Sequence, residues 1–244
     1  MYLKDYLFFL IALGICMIFS LYADRKVKAA YGQYGLVFNK RSITGFDAAT
    51  RLLRANQIYG VTVGRVNGHL TDHYHPTHET VNLSESTYGS TSVAAVAIAA
   101  HEIGHVVQKH KGSLLYRIRT ALVPVVNFGS RISMLLVLVG ILLDAFVLTA
   151  GESNPGFVIA MIGVALYGSA FLFTLVTLPV ELDASRRAKK MLLAEGILRE
   201  EEMEGAEQVL SAAALTYLAS MLTSLVYFLR FFLYVLSIFG RRDD

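Results

Sequence analysis

The chain has 244 residues, of which 55% are hydrophobic and 17% charged, with a formal net charge of +3 and a mean hydropathy of +0.50. A water-soluble domain of this length is rarely so apolar; an integral membrane protein commonly is. Without a basic block or an RNA-type aromatic motif, nucleic-acid binding has no support, and the single Cys16 excludes an intrachain disulfide.

The first apolar stretch, residues 6–23, carries no charge. Its leading region is weak, with Lys4 beside Asp5, and Leu21-Tyr22-Ala23 is a poor cleavage site. An uncleaved anchor is therefore expected rather than a signal peptide. About a hundred residues then precede the next apolar stretch, enough for a small core. Thr44-Gly45-Phe46-Asp47 has the form of a capping box ahead of an amphipathic helix at 48–54. Residues 61–66 read as a strand, Asn67-Gly68 as a hairpin turn, 69–74 as the returning strand and 80–84 as a third strand.

That third strand has two readings. As a sheet edge it would pair with an extended peptide, which makes Val81, Asn82 and Leu83 the expected substrate-binding residues; otherwise it is an ordinary core strand. His69, His73, His75 and His78 crowd the same region. They could form a second metal site, polarise a substrate carbonyl, or sit on a polar hairpin. His110 reads as a surface residue.

The next helix carries the chemistry. Hydroxyl residues Ser90, Thr91 and Ser92 suit its N-cap, and the alanine-rich run that follows contains strong helix formers. It leads into His101-Glu102-Ile103-Gly104-His105. On a helix, positions i and i+4 share a face, so both imidazoles can reach one metal ion, with Glu102 beside a water on that ion. This is the HExxH arrangement of zinc-dependent proteases. Polar residues in so apolar a helix need such a reason.

Three more apolar stretches follow, at 132–150 (interrupted by Asp144), 157–180 and 209–239 (containing Arg230). Each is long enough to cross about 30 Å of hydrocarbon. The last is roughly 46 Å as a helix, so it is expected to begin in the aqueous part or to break near Arg230. Asp144 and Arg230 are expected to face each other as an intramembrane pair. Lys and Arg gather at 25–65, 109–131 and 186–199, and the connection 151–156 has none. The positive-inside rule then puts the basic regions in the cytoplasm and that connection outside.

The third span thus returns the chain to the face that carries His101 and His105. Glu181 is the first carboxylate after it, and Asp183 lies two residues on. On a helix the two are about 200° apart, so only one can serve the metal; the other caps the helix or orients a neighbour.

Together these segments resemble the bacterial membrane proteins called putative neutral zinc metallopeptidases (YugP-like). The resemblance covers nearly the whole chain. It rests on Gly68-His69-Leu70-Thr71-Asp72-His73-Tyr74, Leu83-Ser84, Val93-Ala94-Ala95, the segment from His101 to His105 with Gln108, the run from Leu178 to Ala188, and Ala213-Ala214-Leu215-Thr216-Tyr217. It implies a zinc-dependent peptidase with Glu181 at the third-ligand position. The family's Asp-His-Tyr segment usually continues Asp-Pro, whereas here it is His75-Pro76. A more distant similarity to the gluzincin class stops at Ser185, where that class has a further acid.

The expected protein is mainly α and integral to the membrane, with about four transmembrane helices and a small zincin-like α+β domain. Its expected segments are an anchor (1–23), the zincin-like domain (24–130), a transmembrane hairpin (131–180), a third-ligand segment (181–208) and a C-terminal helix and tail (209–244). Its expected activity is metalloendopeptidase action in the cell membrane, with the catalytic part cytoplasmic. One Zn2+ per chain is held by His101, His105 and Glu181, and Glu102 is the general base. His69, His73, Tyr74, Asp183 and Tyr217 are secondary candidates, some of them as donors to the oxyanion. The partners are a peptide or membrane-protein substrate, the lipid bilayer and, beyond these, a regulatory membrane partner of unknown kind. The competing readings are a non-catalytic membrane scaffold with a structural zinc site and an intramembrane protease.

Overall fold

A computed structural model describes residues 2–146 and 155–239. The elements, in chain order, are α1 (Tyr2–Tyr34), α2 (Gly45–Ala55), β1 (Thr62–Val66), β2 (His73–His75), β3 (Thr80–Ser84), α3 (Glu85–Tyr88), α4 (Val93–His110), α5 (Leu114–Phe146), α6 (Pro155–Ala194) and α7 (Glu200–Phe239). They form two units, each drawn from separate stretches of chain. A sheet-bearing unit comprises Ser20–Arg117 and Leu178–Tyr217; a helical unit comprises Met1–Phe19, Ile118–Thr177 and Leu218–Asp244.

In the sheet-bearing unit, α2 starts where the capping box predicts. The Thr44 side chain accepts from the Asp47 amide, and the Asp47 side chain takes the Thr44 amide in return. Its apolar face, Ala48, Ala49, Leu52 and Leu53, is buried in a core shared with Val81 and Leu83 of β3 and with Val96, Ala100, Ile103 and Val106 of α4. Ala188 and Leu192 of α6 and Ala206 and Leu210 of α7 complete that core. Ser92 caps α4 by accepting from the Ala95 amide, so the metal-type motif begins more than two turns inside a secured helix.

The sheet differs from the expected hairpin. Its strand order is β1-β3-β2, with β1 parallel to β3 and β2 antiparallel to it. Asn67-Gly68 does end β1, with Gly68 at a φ of +110°, but residues 67–72 then fold into a connection rather than a returning strand. Asp72 closes it by accepting from both the amide and the hydroxyl of Ser84, at 2.8 and 2.9 Å. Burial decides the order: Val81 and Leu83 have no exposed surface, so β3 takes the centre, where both its neighbours are strands. The edge-strand expectation for Val81, Asn82 and Leu83 is thereby overturned. The free edges belong to β1 and β2.

In the helical unit, α5 and α6 pack at glycine. A β-carbon on Gly140 would stand 2.5 Å from the Gly156 carbonyl oxygen. Val235 and Phe239 of α7 pack with Val137, Ala160 and Val164, and the hydroxyls of Thr174 and Ser224 meet at 2.7 Å. Large apolar side chains such as Phe8, Ile11, Met134, Leu138 and Leu233 face outward. In water so many would be an aggregation hazard; in lipid they are at home. Among the described residues, α1, α5, α6 and α7 are long and apolar enough to cross a membrane, and the protein is a membrane protein. The long α7 begins in the sheet-bearing unit and runs on without a break at Arg230.

The expected Asp144–Arg230 pair does not form. The Arg230 guanidinium instead lies 5.6 Å from the ring centroids of both Tyr6 and Phe9, where the aromatic faces offer a cation a partner. Asp144 is buried. Residues 147–154 and 240–244, which carry most of the basic-free connection and the C-terminal Arg241-Arg242-Asp243-Asp244, lie outside the described residues.

Candidate metal centre

The spacing of four between His101 and His105 on α4 stacks their rings on one face, with centroids 4.8 Å apart and planes at 85°. Across from them, the sheet-bearing portion of α6 presents Glu181. One carboxylate oxygen, Oε2, stands 3.1 Å from Nε2 of His101 and 3.3 Å from Nε2 of His105. The donor atoms of all three residues lie within 4.8 Å of one another, which makes them the group of three suited to a metal ion among the described residues.

Two helices can bring these side chains so close because of Gly104. A β-carbon at that position would come within 2.6 Å of the Ala184 carbonyl oxygen, so the backbones of α4 and α6 meet where any other residue would hold them apart. The three donors are then nearly sealed from solvent: His105 is 7% and Glu181 2% exposed. Burial pushes the Glu181 carboxyl up, but the hydrogen bonds and charges of the two imidazoles outweigh it and hold the group well below the usual carboxylate range.

The remaining ring nitrogens are also engaged. Nδ1 of His101 lies 3.1 Å from Oγ of Ser185, and Nδ1 of His105 lies 3.0 Å from Oε1 of Gln108. Gln108 donates through Nε2 to the Val180 carbonyl at 2.8 Å and to Oδ2 of Asp183 at 2.9 Å. Asp183 accepts a further bond from Nε of Arg187 at 2.7 Å. Burial works against the charge on Asp183; Arg187 and Gln108 outweigh it and lower its pKa. Gln108 and Ser185 were given no role from sequence. Their spacings, three residues after His105 and four after Glu181, are those of neighbours on one helix face and are the signal that could have found them.

The donor set suits zinc. Two neutral imidazole nitrogens and one carboxylate are ligands of the type that open zinc sites use, and donors about 2.0–2.1 Å from a tetrahedral zinc stand about 3.3 Å apart. With both Nδ1 atoms turned to Ser185 and Gln108, both Nε2 atoms face the common point. Glu102 is itself buried, at 8% exposure, and has no hydrogen-bond or ion-pair partner among the described residues.

The model of the family described as "Putative neutral zinc metallopeptidase" matches residues 9–236. The chain belongs to this zinc metallopeptidase family. It is also 40% identical over 233 residues to the "Putative membrane protease YugP" of Bacillus subtilis (strain 168), with 96% of each chain covered. No solved structure matches. Membership of the family points to zinc as the metal for the His101, His105 and Glu181 group.

Most of the other residues selected from the sequence of this family member have contacts of their own. His69 bonds to Ser86 at 3.1 Å and packs edge-on to Tyr31. His73 is engaged at both nitrogens, by the Thr71 carbonyl and by Asn82. The rings of His75 and His78 lie 4.4 Å apart in the β2–β3 turn. Tyr74 donates to Glu79, which also takes Lys109 and lies 3.4 Å from Nε2 of His110. Burial, reinforced by Glu79, pushes the Tyr74 phenol well above its ordinary value. On Glu79 itself burial is outweighed by Lys109, Tyr74 and His110, and its carboxyl is lowered. Tyr217 is half-buried on α7. Tyr116, which sequence reasoning missed, is buried with its ring 6.2 Å from that of His105.

Proposed function

We propose that the protein is a membrane-integrated zinc metalloendopeptidase, with one Zn2+ per chain held by His101, His105 and Glu181. The observation that carries this reading is the convergence of His101, His105 and Glu181, two of them buried, with the buried Glu102 next to His101 in the chain. When bound, zinc supplies Lewis acidity, making a water more acidic and polarising the scissile carbonyl. Glu102 takes the proton of the attacking water and delivers it to the leaving amine. Among the described residues its side chain is committed to no other group, so it is available for both transfers. Gln108 accepts from Nδ1 of His105, and Ser185 engages Nδ1 of His101, so that both rings present Nε2 to the metal position.

Substrate binding moves to a strand that keeps a free edge. β2 (His73–His75) is the edge strand packed against α4. An extended peptide adding to it by backbone hydrogen bonds would lie along the motif helix, which suits an endopeptidase. The clustering of Lys and Arg at 25–65, 109–131 and 186–199 supports a cytoplasmic active site and a multi-pass topology. α4 is not one of the four helices with membrane-spanning character, which favours hydrolysis outside the hydrocarbon core over an intramembrane reaction. A structural zinc site is disfavoured because such sites use four protein ligands and need no free carboxylate. The deciding experiment pairs metal analysis with a fluorogenic-peptide assay on the purified protein. Zinc at one equivalent with hydrolysis supports the reading; zinc without hydrolysis of any peptide in a broad library returns the scaffold alternative.

A further inference from the structure

We propose that Gln108 is a positioning residue, an amide relay through which the Asp183 carboxylate fixes the orientation and tautomer of His105. The inference rests on the reading that His101, His105 and Glu181 bind zinc.

Gln108 has no exposed surface, so each polar atom it carries must be satisfied inside the protein. Both N–H bonds of its amide are committed, one to the Val180 carbonyl and one to the Asp183 carboxylate. Neither acceptor can donate in return. Flipping the amide would set Oε1 against two acceptors, so the network permits a single orientation. Oε1 then faces Nδ1 of His105 and can only accept, which fixes a proton on Nδ1 and leaves Nε2, 3.3 Å from the Glu181 carboxylate, as the atom available to the metal. Arg187 anchors the far end by holding the same Asp183 oxygen. The support is asymmetric. The partner of His101 is the Ser185 hydroxyl, which can donate or accept and so leaves the tautomer of that ring unforced. Of the two imidazoles, His105 is the one locked before metal arrives.

The test is Zn2+ affinity of the full-length, detergent-purified, metal-stripped protein, read by competition with a chromophoric chelator. Gln108→Ala leaves the buried Nδ1–H without an acceptor and should weaken Zn2+ binding about 10- to 100-fold. Gln108→Glu should also bind weakly, because its carboxylate faces that of Asp183. Gln108→Met fills a similar volume without a strong acceptor for Nδ1 and should bind about as weakly as Gln108→Ala, which a merely packing role would not produce. Ser185→Ala should have the smaller effect. If Gln108→Ala fails to fold, as judged by the thermal transition of the metal-free protein, Gln108→Met decides. Wild-type affinity in Gln108→Ala or in Gln108→Met overturns the relay and leaves the zinc reading standing. No Zn2+ binding by the wild type, with Glu181→Ala indistinguishable from it, overturns the zinc reading instead.

Discussion

Gly104 of α4 faces the carbonyl oxygen of Ala184 of α6 so closely that a β-carbon there would stand 2.6 Å from that oxygen. The contact involves backbone on the α6 side, which cannot swing away as a flexible side chain would. Gly104→Ala should therefore cost about 1–3 kcal/mol of stability through overpacking. It should also part His101 and His105 from Glu181. Thermal unfolding and zinc content, measured together, should both fall. A variant with unchanged unfolding and full zinc would mean that α4 and α6 can separate freely.

Glu102 is buried beside the donors without being one of them. Glu102→Gln keeps the shape and removes the base, so zinc content should stay at the wild-type level. Peptide hydrolysis should drop by about 10²- to 10⁴-fold or more. Steady-state assay with a fluorogenic peptide checks this, and normal turnover by the variant would remove Glu102 from the mechanism.

Metal binding by the folded state adds stability by mass action. At free zinc about 100-fold above its Kd, the loaded protein should exceed the stripped protein by about 2.7 kcal/mol. A chelator should accordingly lower the unfolding temperature of the wild type. Glu181→Ala should unfold at the same temperature with and without chelator.

Glu79 and Tyr74 predict how stability responds to pH away from the metal centre. The folded state lowers the Glu79 carboxyl, so its contribution is full above the unfolded carboxylate value of about 4.3 and is lost as pH falls through the lower folded value. The Tyr74 phenol is raised, so its contribution is full below about 10 and is lost as pH rises beyond. Melting temperatures of wild type and Glu79→Gln should differ by a constant amount near neutral pH and converge in acid. Tyr74→Phe should blunt the alkaline loss. A Glu79→Gln gap that widened in acid would contradict the assigned direction.

Features fixed by local spacing were legible in the sequence. The Thr44–Asp47 capping box, the Ser92 cap region, the four apolar helices and the shared face of His101 and His105 follow from patterns within a few residues, and Glu181 is the first carboxylate after an apolar stretch. Sheet order was not legible. Asn67-Gly68 is a strong local hairpin signal, but the demand to bury Val81 and Leu83 gave β3 two neighbours and turned residues 67–72 into a crossing. The roles of Gln108 and Ser185 were hidden for a similar reason, since each depends on a partner 72 to 84 residues away. Arg230 was paired with Asp144 on depth alone, and depth does not specify which helix face looks where.

The three donors come from chain positions separated by 80 residues, with two long apolar segments made in between. A nascent polypeptide that has emerged only as far as α5 holds both imidazoles but lacks the carboxylate. Biosynthesis therefore orders events: the three donors can meet only after the ribosome has delivered α6.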